Sequence, residues 1–372
     1  MSLGDRSLKV AIVHDWLVSY GGAEKVLEEQ LALFPDAHIY TLLHKPGTQS
    51  PLIESRKIRT SMLQDIPISD HRRLITLMPY TVEQFDLSEY DLVISNTFAV
   101  VHGVVTSPEQ LHLAYINRTM RYAWDTYHQD LAAFGVGRGI KHLVASLGYH
   151  YLRLWDIAAF QRPDRVLANS PFSSRRIQKY YRRDAYTLFA PVDTSQFSPA
   201  RKRDDYYVTV GRLVPLKGVD LMVKAFLQSG RRLIVVGDGP QMDGLRAHAG
   251  TNIKFTGKLN TREVAEILGQ ARGYLAMAEE DFGIANVEAL ASGTPVIAWG
   301  QGGVKHTIRH GENGWLFNER TSEALNVALD RFEHLDWPSA EEIAHTAQQF
   351  SASAYRAGLR QQIELATRQR EL

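Results

Sequence analysis

The chain has 372 residues, too many for one ordinary domain and suited to two. Apolar residues make up 44% and charged residues 22%, the balance of a soluble globular protein, and Lys plus Arg (42) nearly cancel Asp plus Glu (41). A net charge of +1 excludes bulk nucleic-acid binding, and the absence of cysteine excludes disulfides, thiolate zinc sites, iron–sulfur clusters and a Cys nucleophile.

The N-terminus lacks the long apolar region of a signal peptide, and no apolar run approaches the roughly 20 residues that span a bilayer. A cytoplasmic protein, at most peripheral on the inner face of the membrane, is expected. The first strand-like run is Lys9–Trp16, followed by Tyr20–Phe34, whose apolar Ala23, Val26, Leu27, Leu31 and Phe34 have helical spacing. Further buried-strand patterns lie at His38–Leu43, Asp91–Asn96, His112–Ile116 and Arg165–Ser170. From Tyr206 the pattern restarts. Strand-like YYVTVGR, RRLIVVGDG, NIKFTG, GYLAMA and TPVIAWG alternate with helix-like VDLMVKAFLQS, MDGLRAHAG, TREVAEILGQA and ANVEALASG. Strands alternating with helices predict two α/β units with parallel sheets. The Pro-containing, mixed-charge stretch Ala190–Asp205 reads as the linker, with its break near Pro199–Asp205. Domains of 1–199 and 205–345 are expected. After Trp337-Pro338 the chain reads as helical to its end.

Four glycine-bearing loops follow predicted strands. In the strongest, Glu280 and Glu288 flank seven residues that include Phe282-Gly283-Ile284, where a strand meets a helix. Free amides at a helix start suit phosphate and sugar oxygens. Glu280 at the strand end suits sugar hydroxyls, and Glu288 in the helix suits a ribose diol. Either glutamate alone fits a solvated helix end better, but the whole pattern, followed by ALASGTPVIA, favours the ligand reading. The second loop, Gly211–Gly218, carries Arg212 and Lys217 at a helix start. Cations there oppose the macrodipole, which points to a bound diphosphate. Gly237, in VGDGP, fits a ligand contact or a tight turn. The Gly21-Gly22 pair lets backbone approach a ligand closely, but it is neither a GxGxxG nor a Walker loop.

These motifs resemble the retaining glycosyltransferases of family 4, of the GT-B fold. EDFGIANVE matches the family's E-x7-E pattern, and GRLVPLKG, GDGP, the GGAEK loop and ASGTPVIA stand in the family's order. MRYAWD (Met120–Asp125), Tyr151–Ser170 and RRIQKYYRRDA also resemble the bacterial mannosyltransferases that build O-antigen and exopolysaccharide. The resemblance implies two Rossmann-like domains whose parallel sheets face a cleft, with helix 346–372 packing back on the first domain. It implies transfer of a hexose, from GDP-mannose or a UDP-hexose such as UDP-glucose, onto a polyprenyl-diphosphate-linked glycan. Arg212 and Lys217 would hold the diphosphate. Glu288 would bind the ribose, and Glu280 the donor sugar, with backbone at Phe282, Gly283 and Ile284. Gly22 and Gly237 would approach the donor, and the base would rest near Lys258-Leu259. No metal or other cofactor is implied, and the chain has no Asp-x-Asp.

One departure stands out. The family's usual His before the MRYAWD segment is Asn117 here, which can hydrogen-bond a sugar hydroxyl but cannot take a proton. His102 is either its replacement or a structural histidine. Asp15 and Trp16, after the first strand, suit an acceptor site or a strand-end turn. Tyr122 and Trp124 suit a sugar platform or ordinary packing. The basic stretch Arg138–Arg183 suits anionic membrane headgroups or a solvated face. A phosphorylase or epimerase is a second enzyme class, disfavoured by chain length. A non-catalytic nucleotide-sugar-binding protein is the alternative outside enzymes.

Overall fold

The computed structural model describes residues 2–3, 6–67, 70–133, 138–200 and 202–370. They fall into two units, Met1–Phe189 with Arg356–Leu372, and Ala190–Tyr355.

The first unit is built on a seven-stranded sheet in the order Ile58–Thr60, His38–Thr41, Val10–His14, Leu92–Thr97, Leu111–Ile116, Arg165–Ala168, Tyr186–Thr187. Every pairing in it is parallel. Helices cover both faces of such a sheet, so its central strands bury every residue and read as apolar runs rather than alternating ones. Pairing of His14 with Asn96 places both at the carboxyl edge, one residue pair from Thr97↔Ile116. A short antiparallel ribbon, Ser2–Leu3 with Arg6–Ser7, precedes the sheet.

The second unit has six parallel strands in the order Ile253–Gly257, Leu233–Val236, Tyr207–Val210, Gly273–Ala276, Val296–Trp299, Gly314–Phe317. Its core joins Tyr207, Val223, Phe226, Leu275, Leu329 and Phe332. The chain runs outward from Tyr207–Val210 on one side and returns to its other side with Gly273–Ala276. The direction of winding therefore reverses between those two strands, and loops there splay apart at the carboxyl edge.

The predicted strands of both sheets are present. Three further strands stand at sheet edges, Ile58–Thr60, Tyr186–Thr187 and Gly314–Phe317, and the first two, of 3 and 2 residues, are too short for a pattern to show in the sequence. The linker also moves. Pro199–Asp205 lies inside the second unit, which starts at Ala190. Val192 N–H donates to Phe350 O at 2.9 Å, and Ala352 N–H donates to Val192 O at 3.0 Å, tying this stretch to the second unit's last residues. Arg201, within the expected break, lies outside the described residues. Helix Ala340–Thr346 also belongs to the second unit, where Asn313 Nδ2 donates to Thr346 Oγ1 at 3.0 Å. The last helix, Ala352–Arg370, belongs to the first unit from Arg356 onward. There Arg356 pairs with Glu29, and Arg165 Nε donates to Gln362 Oε1 at 2.7 Å.

Candidate active site

The parallel second sheet brings every glycine loop of its own unit to one edge. Three of them interlock through backbone. Gly211 N–H donates to Val236 O (3.0 Å), Leu213 N–H to Asp238 O (2.9 Å) and Gly237 N–H to Gly257 O (2.9 Å). Gly237 has φ +127°, and a Cβ on it would stand 1.9 Å from Gly211 O. Gly237→Ala should therefore cost about 3 kcal/mol or more of stability, read as an early midpoint in urea unfolding. An unchanged midpoint would show that the two loops do not lock each other.

Lys217 and Glu280 meet across the point where the winding reverses, as an ion pair between Nζ and Oε1. Neither is fully buried: the side chains are 27% and 29% exposed, so both heads remain reachable from solvent. Arg320 fixes the Lys217 loop by donating to Met277 O (2.8 Å) and Leu216 O (2.7 Å) while its guanidinium lies over Trp299. Arg212 is exposed, and its guanidinium makes no hydrogen bond or ion pair among the described residues. Two cations thus stand on one loop, one of them held by a carboxylate and the other unpaired.

Gly283, φ +89°, begins the helix Ile284–Ala291 and supplies no side-chain cap. A Cβ there would meet Asn286 Nδ2 at 2.4 Å and stand 3.4 Å from Glu280 Oε2. Only glycine lets the helix start this close to Glu280. Glu288, one turn on, is buried. Tyr274 feels both glutamates: burial first, then the Glu280 and Glu288 carboxylates, push its hydroxyl above the usual range. Phe282 is buried, its ring edge-on to that of Phe350. Lys258 is exposed and Leu259 half-buried directly after Gly257.

Three features escaped the sequence reading. Gly303 N–H donates to Glu280 O at 2.7 Å, so the Gly302-Gly303 turn braces the Glu280 backbone. Arg320 acts over a sequence separation of 43 and 104 residues. Asn286 Oδ1 is buried without a hydrogen-bond partner, and its one visible sign was a polar residue in an otherwise apolar turn.

In the first unit, Asn117 Nδ2 donates to Asn96 Oδ1, and Asn96 Nδ2 donates to Ala23 O at 3.0 Å. The side chain at 117 is thereby joined to the Gly21-Gly22 turn, where Gly22 is the first residue of helix Gly22–Leu33. Asn169 Nδ2 holds the Asn117 carbonyl at 2.7 Å. His14 Nε2 lies 3.2 Å from Glu24 Oε1 behind this turn.

The acceptor assignments need correction. Asp15 is fully buried, and its carboxylate accepts from Thr97 Oγ1 and from the amides of Phe98, Ala99, Val100 and Val101 at 2.6–3.2 Å. It pins the 97–101 turn and has no capacity left for a sugar. Trp124 donates Nε1 to Asp156 (2.8 Å) and stacks on Tyr180 at 11°, which makes it packing rather than a platform. The Tyr122 hydroxyl is likewise buried, and burial raises it well above its ordinary range. Trp16 is half-buried, edge-on to Phe98 at 4.8 Å. His102 is a structural histidine, buried 3.1 Å from Asp156. The basic stretch is largely spent inside the unit: Arg162 pairs with Glu83, Arg176 with Asp125, Arg153 donates to Ala123 O, and Arg183 donates to Pro163 O.

Residues 193–350 match the family model described as Glycosyl transferases group 1. Over 169 residues the chain is 34% identical to the GDP-mannose-dependent alpha-(1-6)-phosphatidylinositol monomannoside mannosyltransferase of Mycobacterium tuberculosis (strain CDC 1551 / Oshkosh). That match takes in 37% of this chain and 44% of the relative, so the chain spans less than half of that protein's length. A GDP-mannose-dependent alpha-mannosyltransferase of the same organism is 27% identical over 275 residues, 70% of this chain and 68% of its own. Sucrose-phosphate synthase from Thermosynechococcus elongatus superposes with a TM-score of 0.72 at 18% identity, covering 96% of this chain and 99% of that one. The two parallel-sheet units are therefore the GT-B fold, and residues 193–350 make up a Glycosyl transferases group 1 domain.

Proposed function

We propose that the protein is a retaining, metal-independent hexosyltransferase that moves mannose from GDP-mannose onto a lipid-linked glycan in bacterial surface or exopolysaccharide synthesis. The observation that carries the reading is the Lys217–Glu280 pair beside the unpaired Arg212, at the edge where three glycine loops interlock. A nucleoside diphosphate leaving group develops negative charge, and the two cations of this loop, one held by Glu280, would neutralise it without a metal. Glu280 then takes donor-sugar hydroxyls and Glu288 the ribose, with the backbone of Phe282–Ile284 against sugar and phosphate. Gly237 lets the loops close up, and Lys258-Leu259 meet the base. In the first unit, Asn117, joined to the Gly21-Gly22 turn through Asn96, is the candidate sugar contact, and half-buried Trp16 is the candidate acceptor residue. Mannose and guanine rest on the names of the two mannosyltransferase relatives. UDP-hexoses are the rival donors.

A thermal-shift panel of GDP, UDP and their sugars, run in EDTA, tests the donor. A ligand at 100 times its Kd stabilises by about 2.7 kcal/mol, a visible rise in Tm. GDP is expected to raise Tm more than UDP, and Arg212→Ala to remove the shift. A larger shift with UDP would overturn the donor base, and an undiminished shift in Arg212→Ala would overturn the diphosphate site.

A further inference from the structure

Helix Ile140–Ala159 is 20 residues long, yet only Leu152, Asp156 and Ala159 are buried. Ile140, Leu143, Val144, Leu147, Tyr151 and Leu154 are exposed by between 44% and 79%. At 100° per residue these six, all but one aliphatic, occupy a single arc about 100° wide, with Ile157 extending it. So much exposed apolar surface on one helix marks a contact site rather than scattered surface residues.

Charge indicates what covers it. The one acid in the helix, Asp156, is buried and bonded to Trp124 and Tyr181. Arg138 and Lys141 stand exposed where the helix begins, with no hydrogen bond or ion pair among the described residues. An apolar arc edged by unpaired cations and free of exposed carboxylates complements an anionic bilayer, with acyl boundary below and headgroups at the rim. No helix among the described residues is long and apolar enough to cross a membrane. We propose that helix Ile140–Ala159 lies in the interfacial plane of an anionic membrane with its Ile140–Leu154 stripe inserted. Insertion of this apolar face carries most of the binding, and Arg138 and Lys141 at its rim add attraction to anionic headgroups. The inference is independent of the donor assignment.

The test is flotation of the full chain with phosphatidylcholine vesicles, with and without phosphatidylglycerol. Binding is expected to be strongest with phosphatidylglycerol and to survive in part at high salt, because apolar insertion is not screened. Leu143→Glu/Leu147→Glu/Leu154→Glu should lower binding about tenfold or more without lowering Tm. Val327→Glu, an exposed apolar position in the second unit, should leave it unchanged. As a second readout, the added indole of Leu147→Trp should shift its fluorescence to the blue and be quenched by brominated lipid. No flotation, full loss of binding at high salt, or emission from the Leu147→Trp variant unmoved by vesicles would overturn the proposal. So would a lipid-free dimer abolished by the same triple variant, since the stripe would then serve a second copy.

Discussion

Replacing Lys217 with alanine is expected to lower kcat/KM for sugar transfer by about 10²–10³-fold, the usual loss when one charge stabiliser of a transition state is removed. Lys217 contributes little to packing, with its head partly in solvent, so the fold should survive and the loss should appear as chemistry. The reason for so large an effect is the partner. On the proposed function, the Glu280 carboxylate without the ammonium would face a diphosphate that is gaining negative charge. The single variant therefore adds repulsion to the loss of attraction. Glu280→Gln in the Lys217→Ala background should recover part of that loss, although Glu280→Gln alone should be harmful because it would weaken the proposed sugar contact. This non-additivity is what a coupled pair predicts, and a double-mutant cycle in kcat/KM reads it directly. Lys217→Ala within threefold of the parent would remove Lys217 from the reaction.

The donor loops were legible because three constraints coincide at them. Parallel strands buried on both faces announce themselves as apolar runs, so their carboxyl ends can be located in the sequence. Glycines and charges gather where those runs stop. Lys217 and Glu280 sit at two such ends, and the order of the sheet makes these ends neighbours. Arg320 and Gly303 follow no comparable pattern, because each acts on a backbone carbonyl supplied by a distant loop. Helix Ile140–Ala159 illustrates the opposite failure. Its cations drew attention, while its apolar stripe has the periodicity of any core-facing helix. Only exposure separates the two, and periodicity does not encode exposure.

Asp15 carries the second large effect. Its carboxylate receives five donors, so Asp15→Ala would take the acceptor from four backbone amides and the Thr97 hydroxyl, although Ala99 N–H also reaches Thr97 Oγ1 at 3.3 Å. A loss of about 3–5 kcal/mol is expected, since each stranded buried donor is costly and relaxation recovers only part. Asp15→Asn distinguishes a requirement for acceptors from one for mere volume. The carboxamide turns one accepting oxygen into an NH2 that confronts amide N–H groups, so it should cost about 2 kcal/mol or more despite being isosteric. Urea unfolding of both variants measures this. An acceptor-binding Asp15 would instead raise KM for the glycan and leave the unfolding midpoint in place, so the two roles separate cleanly. Some activity change should accompany the loss of stability, because the 97–101 turn sets Phe98 against Trp16 at 4.8 Å and against His14 at 5.5 Å. If the turn loosens, Trp16 loses its edge-on support and His14, beside Glu24 of the following helix, loses its fixed orientation. A residue type that suits a sugar ligand thus serves the site from behind, through the backbone it holds.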